Sequence, residues 1–415
     1  MDLATHSPNR THAYEDMYGE YVTDASFLWL LRSIRVNQAH YTVEDMAILE
    51  QRIEDQLDGL TASIDPGWTA CEAALELEEP GEVFVATVTA MRSHEIPKIQ
   101  KAVQVGMASE RTFSALVSAL GWLPAEIARP WTERLLQGKD MQHKYLGLAA
   151  CSVRREDPGE ILSDILKRED CRQHVNLHAR ALRLIGELRR CDLAPALIGA
   201  QASDNDTVRF WALWSTILLG DSTAAQAMRP YVLQPGPHRA KAIQLAFRAL
   251  PIENAREWIS ALAHDPVHWR AVITATGVLG DPHAVNWLIG KMTDPKQARL
   301  AGEAFTAITG IDLEKHELTM APPVQEPISE DNDVGLDDDE NLPWPDAERI
   351  ATLWRQHGSN FKTGQRYFLG KPITADSLKH TLTAAYQRQR HAAALELALI
   401  DPQSRFINTH AKAAP

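Results

Sequence analysis

Two stretches of this chain end an apolar helical run on the same tripeptide and then begin another. VRFWALWSTILLGDSTAAQAM, from Val208, and HWRAVITATGVLGDPHAVNWLIGKMTDP, from His268, both read basic residue, apolar helix, Leu-Gly-Asp, second apolar helix. Their glycines, Gly220 and Gly280, lie 60 positions apart. Midway, HRAKAIQLAFRALPIENAREWISAL turns at Leu250-Pro251, so the interval holds two units of roughly 30 residues. Ile185-Gly186 and Leu120-Gly121 close similar runs 34 and then a further 65 residues upstream. A glycine just past a helix takes the left-handed conformation that satisfies the last carbonyls, and the Asp or Pro behind it starts the next helix. One such hairpin cannot cover its own apolar faces. Leu213, Ile217, Ile273, Leu279 and Leu288 therefore have to be buried against neighbouring hairpins. The expected fold class is all-α, an α-solenoid of short helical hairpins spanning residues 81–320.

The flanks read differently. Residues 45–60, DMAILEQRIEDQLDGL, place Met46, Leu49, Ile53, Leu57 and Leu60 on one helical face, ended by Asp58-Gly59 and a Pro66-Gly67 turn. Residues 1–80 are thus expected to form an N-terminal helical cap. Between Glu326 and Glu340 there are eight acids (Glu326, Glu330, Asp331, Asp333, Asp337, Asp338, Asp339, Glu340) and no Lys or Arg. Such a run repels itself and carries little to bury, so residues 321–346 are expected to be an acidic flexible linker or insertion. Residues 347–415 read as a C-terminal helical cap, with one long helix over 375–400. The formal charge of −13 is the wrong sign for a protein that neutralises phosphates over its whole surface.

Local signals for chemistry are weak. Cys171, His174 and His178 share one helical face and could supply three zinc ligands, but no fourth ligand follows. A calcium loop centred on Gly335 lacks the closing glutamate, with Asn341 in that place. His264-Asp265 is followed by Pro266 and reads as a cap. Neither a nucleophile elbow nor a phosphate loop is present, so no catalytic, cofactor-binding or metal-binding residue is assigned and no cofactor is required. The four cysteines, Cys71, Cys151, Cys171 and Cys191, form no CxxC pair, and reduced, mostly buried thiols are expected. The longest apolar block near the N-terminus, residues 27–31, is too short for a signal core or a membrane span, and the expected location is cytoplasmic, with no membrane partner. Trp211 and Trp214, three apart on one helix, cannot easily both face a core, so one is expected on an exposed partner-binding ridge. Arg180, Arg183, Arg209 and Arg270 cluster in the middle repeats as further partner-binding candidates.

The pattern R-x-x-A, Leu-Gly-Asp, x-x-A-x-x-x-L resembles the short form of the HEAT repeat. SFLWLLR near Phe27, LEQRIEDQLDGL followed by Gly67-Trp68, PGEVFVATVTA from Pro80, GQRYFLGKPIT from Gly364 and QRQRHAAALELAL from Gln387 together resemble a bacterial family of HEAT-repeat proteins often encoded near type VI secretion spike and PAAR genes. That resemblance implies a non-catalytic protein-binding scaffold, an accessory that loads an effector, or an immunity protein that neutralises a toxin. The partner would then be a secreted effector, a toxin or a spike component. A HEAT-like nucleic-acid-binding protein or DNA glycosylase is the remaining alternative, and it needs a continuous basic face.

Overall fold

Why the helices end where they do is visible in a computed structural model, which describes residues 8–323, 338–401 and 404–413, with side chains from Asp16 onward. The fold is all-α: 73% of it is helical, and the only sheet among the described residues is a hairpin of two-residue strands. The helices are α1 (Pro8–Arg35), α2 (Val43–Ala62), α3 (Ile64–Ala74), α4 (Pro80–Ser93), α5 (Ile96–Gly106), α6 (Glu110–Trp122), α7 (Ala125–Gln137), α8 (Met141–Arg154), α9 (Glu160–Lys167), α10 (Glu169–Gln173) and α11 (Val175–Leu188). They continue as α12 (Ala194–Ala200), α13 (Asp206–Leu218), α14 (Arg229–Leu233), α15 (Arg239–Ala249), α16 (Ile252–Leu262), α17 (Trp269–Leu279), α18 (Val285–Lys291), α19 (Ala298–Thr309) and α20 (Ala347–His357). Strands β1 (Tyr367–Phe368) and β2 (Lys371–Pro372) precede α21 (Ala375–Ala384) and α22 (Gln387–Ile400). No helix among the described residues is long and apolar enough to cross a membrane. The chain divides into two compact units. Unit 1 takes the described residues of Met1–Asn37, Tyr41–Leu184 and Asn408–Pro415, and unit 2 those of Gln38–His40 and Ile185–Ile407. The division falls inside α11, within the residues 81–320 expected to form one array.

In unit 1, α1 packs on α2, α3 and α4, α4 on α6, and α6 on α8. A capping box starts α2: the Thr42 side chain accepts from Asp45 N–H while the Asp45 carboxylate accepts from Thr42 N–H. The stripe Met46, Leu49, Ile53, Leu57 and Leu60 is buried as its spacing predicts. Pro66-Gly67 is not a turn but the first turns of α3, where a missing N–H leaves no bond unmade. Gly67 lies there because a Cβ would stand 2.1 Å from the Leu60 carbonyl oxygen. Phe84 of α4 stacks on Trp29 (5.1 Å between centroids) and meets Trp122 edge-on (5.4 Å).

In unit 2, α13, α15, α17 and α19 pack in succession. Gly220 and Gly280 adopt positive φ, +107° and +72°, and Asp221 and Asp281 accept from the N–H groups of Thr223 and His283. These side chains begin 3₁₀ turns, Ser222–Met228 and Pro282–Ala284, ahead of α14 and α18. Gly121 and Gly186 are different: both lie inside helices, α6 and α11. They permit close helix packing, since a Cβ on Gly186 would stand 2.7 Å from Ser215 Cα and one on Gly121 would stand 2.9 Å from the Val153 side chain. The β-hairpin clips consecutive helix ends together. Tyr367 N–H donates to the Gly280 carbonyl at 2.8 Å, and the N–H groups of Leu369 and Gly370 donate to Ala307 and Ile308 at 2.7 and 3.1 Å.

The expected single helix over 375–400 is broken at Ala385-Tyr386. Folding back buries Leu378 and Leu382 against Ala393, Ala394 and Leu397, faces that a straight helix would leave uncovered. Of the acidic run, residues 326–337 lie outside the described residues. Its end is anchored: Asp339 is buried, and Arg270 holds it at 2.5 and 3.2 Å. Met320 N–H donates to the Trp344 carbonyl at 2.9 Å and Asp346 N–H to Leu318 at 2.8 Å. These bonds join the chain on either side of the acidic run. Cys71, Cys151 and Cys171 are buried thiols and Cys191 is exposed; burial pushes Cys71 and Cys151 up to about 12.

Candidate functional site

Helical spacing puts Glu50, Glu54 and Asp58 of α2 on one line, each a turn beyond the last. Glu50 is the unusual member, because it lies on the apolar face beside Leu49 and is only 2% exposed. A buried carboxylate needs partners. Arg32, from the last turn of α1, supplies one by donating from Nε to Glu50 Oε1 at 2.8 Å. Arg92 of α4 bridges Glu54 (2.6 Å) and Asp58 (3.1 Å). Trp122, at the end of α6, donates its indole N–H to Glu54 Oε1 at 2.9 Å.

Residues 408–413 of unit 1 lie on this face. Arg32 Nη2 donates to the His410 carbonyl at 2.9 Å, and Glu50 Oε2 accepts from Ala413 N–H at 2.7 Å. Asn408 Nδ2 donates to the Val153 carbonyl at 2.7 Å, past the middle of α8. The Lys412 ammonium bonds Glu54 Oε1 and stands 4.7 Å from the centre of the Trp122 ring. Burial raises the Glu54 pKa, but the bonds from Lys412 and Arg92 outweigh it and hold the carboxyl below its ordinary value of 4.5. A lowered folded-state pKa means that Glu54 contributes stability that is complete above the ordinary value and lost as pH falls through the lowered one. Hydrogen exchange over residues 408–413, corrected for intrinsic rates, should therefore accelerate as pH is taken from 6 towards 3, before the core of unit 1 opens. Protection that stays flat until global unfolding would contradict this assignment.

The same unit carries a second surface feature. Phe27, Leu30 and Ile34 on α1, at i, i+3 and i+7, are exposed large apolar residues, Phe27 by 63%. Stripes of this kind mark contact surfaces.

The residues singled out from sequence are placed elsewhere. Trp211 and Trp214 do not form an exposed ridge: they are 9% and 6% exposed. Every residue of α13 from Phe210 to Leu218 is buried, because α12, α15, α22 and the 222–228 turn surround the helix. The expectation assumed a single buried face, whereas a helix apolar all round is a buried one. Trp211 meets Trp214 edge-on at 5.3 Å, and Phe406 lies 5.8 Å from Trp214. The four arginines make contacts within the chain. Arg180, in unit 1, donates to Ser152 Oγ at 3.4 Å and lies over Tyr145, and Arg183, a turn further along α11, is half-buried. In unit 2, Arg209 bonds the Ser203 carbonyl, Tyr231 and Asp206, and Arg270 is the partner of Asp339. His174 accepts from Leu177 N–H, and among the described residues no group of three His, Cys, Asp or Glu is arranged to hold a metal. Asp265 caps the turn at Pro266–His268.

Sequence reasoning missed Glu50, Glu54, Trp122 and the segment 408–413. The legible signal was Glu50, a charge set within an otherwise apolar stripe. No family model, curated protein or solved structure matches the chain.

Proposed function

We propose that the protein is a non-catalytic, polypeptide-binding scaffold built of HEAT-like helical hairpins. The observation that carries this reading is the segment 408–413, which turns at Asn408–Ala411, where Ala411 N–H donates to the Asn408 carbonyl at 3.2 Å, and is held on the helices of unit 1 through both main-chain and side-chain groups. A helical surface that holds one irregular polypeptide segment is equipped to hold another. The exposed stripe on α1 adds apolar contact area. On this reading the protein works in the cytoplasm and its partner is another protein, taken from the resemblance to be a secreted effector, a toxin or a spike component that it loads or neutralises. The spent state of Arg209 and Arg270, each bonded to a carboxylate of its own unit, supports a protein partner over nucleic acid. Tagged full-length chain purified from its native cell should carry a stoichiometric protein, identified by mass spectrometry. Recovery of nucleic acid alone, or turnover of a damaged-DNA substrate by the pure chain, would overturn the reading.

A further inference from the structure

Residues 408–413 occupy their site in a way that separates what is read from what is merely held. Arg32 reads a carbonyl and Glu50 reads an N–H, groups that any polypeptide offers. Three side chains of the segment are bonded too: Asn408 to the Val153 carbonyl at 2.7 Å, His410 with Asn37 at 3.2 Å and, against α2 and Trp122, Lys412. Its ammonium sits between the Glu54 carboxylate and the face of Trp122, whose indole N–H is turned to the same carboxylate oxygen. The charges around it are one short. Glu50, Glu54 and Asp58 face Arg32 and Arg92, and the single remaining negative charge is matched by the lysine. A cation between a carboxylate and an indole face is favoured by both, and more so where water is thinned.

The occupant is fastened without an apolar anchor. None of residues 408–413 belongs to the apolar core of unit 1. Its hold includes hydrogen bonds to charged groups, an ion pair and the contact with the Trp122 ring, each worth on the order of 1–3 kcal/mol net, and segments held by polar contacts can open locally without global unfolding.

We infer that this face of α2 with Trp122 is a lysine-directed binding site for a segment of a protein partner, and that residues 408–413 are its built-in occupant, displaced when the partner's segment binds. The inference rests on the scaffold reading and gives that scaffold its ligand chemistry: an unmodified lysine with small residues beside it. Tethering raises the local concentration of the occupant to the order of millimolar, so a free peptide competes poorly until the occupant is weakened.

The test uses the full chain carrying Lys412→Glu, which sets a carboxylate against Glu54, and a fluorescein-labelled synthetic peptide with the sequence of residues 408–413. Fluorescence anisotropy should show the peptide binding the variant about tenfold or more tighter than it binds the unaltered chain. The same peptide with acetyl-lysine should lose about tenfold, and this arm leaves the protein untouched. Glu54→Gln added to Lys412→Glu should lose binding to a similar degree, with circular dichroism checking its fold. Equal affinity for the lysine and acetyl-lysine peptides, no binding to the variant at millimolar peptide, or equal binding to both chains would overturn the inference. A stoichiometric partner that remains bound to chain carrying Glu54→Gln would also remove this site from the account while leaving the scaffold reading standing.

Discussion

Replacing Glu396 by alanine is expected to cost about 3–5 kcal/mol, the largest single loss in unit 2. Glu396 of α22 is 3% exposed and lies between two guanidiniums. Arg366 donates to both its oxygens at 2.9 and 2.7 Å, and Arg248 Nε stands 3.3 Å away. Arg366 continues to the carbonyls of Leu279 and Arg248, at the ends of α17 and α15, so the carboxylate fastens α22 to both. Burial pushes the Arg248 guanidinium down to about 10, with Glu396 opposing that shift; without the carboxylate, buried Arg248 and half-buried Arg366 would face each other unpaired by it. Thermal unfolding should show the melting temperature of the transition lowered by about 10 °C. Arg248→Met in the Glu396→Ala background should recover part of the loss, because it removes one of the stranded charges. Simple additivity of the two substitutions would contradict the account.

The two Leu-Gly-Asp tripeptides give the second prediction, as a matched pair. Gly220 and Gly280 share a left-handed conformation, so alanine at either incurs a strain of about 1–2 kcal/mol. Around Gly220 a Cβ meets nothing within 4 Å, whereas at Gly280 it would stand 2.2 Å from the Tyr367 carbonyl oxygen. Gly280→Ala must therefore also push the β-hairpin from its seat and break the bond from Tyr367 N–H to the Gly280 carbonyl. A total loss of about 3 kcal/mol or more is expected at Gly280, against strain alone at Gly220. Urea denaturation of the two variants measures the difference, and equal losses would show that the hairpin does not depend on this contact.

The helix ends at Gly220 and Gly280 were legible because a helix that stops on a glycine and restarts on an aspartate leaves both signals in the sequence. The stripe on α2 was legible for the same reason: burial on one face writes a period. Gly121 and Gly186 did mark helix ends, lying in the last turns of α6 and α11, but for another reason than a left-handed turn: the letter that permits that turn also permits two helices to touch. The break at Ala385-Tyr386 has no glycine or proline to announce it and follows from tertiary burial alone. Trp211 and Trp214 misled because nothing local shows how many neighbours will surround a helix. The segment 408–413, Asn-Thr-His-Ala-Lys-Ala, has no period, and its position depends on groups more than 250 residues away. Only Glu50, a charge in the wrong place for a bare core, hinted that something would come to meet it.

That separation along the chain has a temporal side. Ala413 follows Trp122, the last residue of the seat, by 413 − 122 = 291 positions, and at about 5–20 residues per second a ribosome needs roughly 15–60 s to travel that far. Throughout that interval α1 to α6 are already made while the segment that will lie over them has yet to be translated. A newborn molecule thus passes through a stage in which a lysine-bearing guest, present at the site of synthesis, meets the seat with no rival.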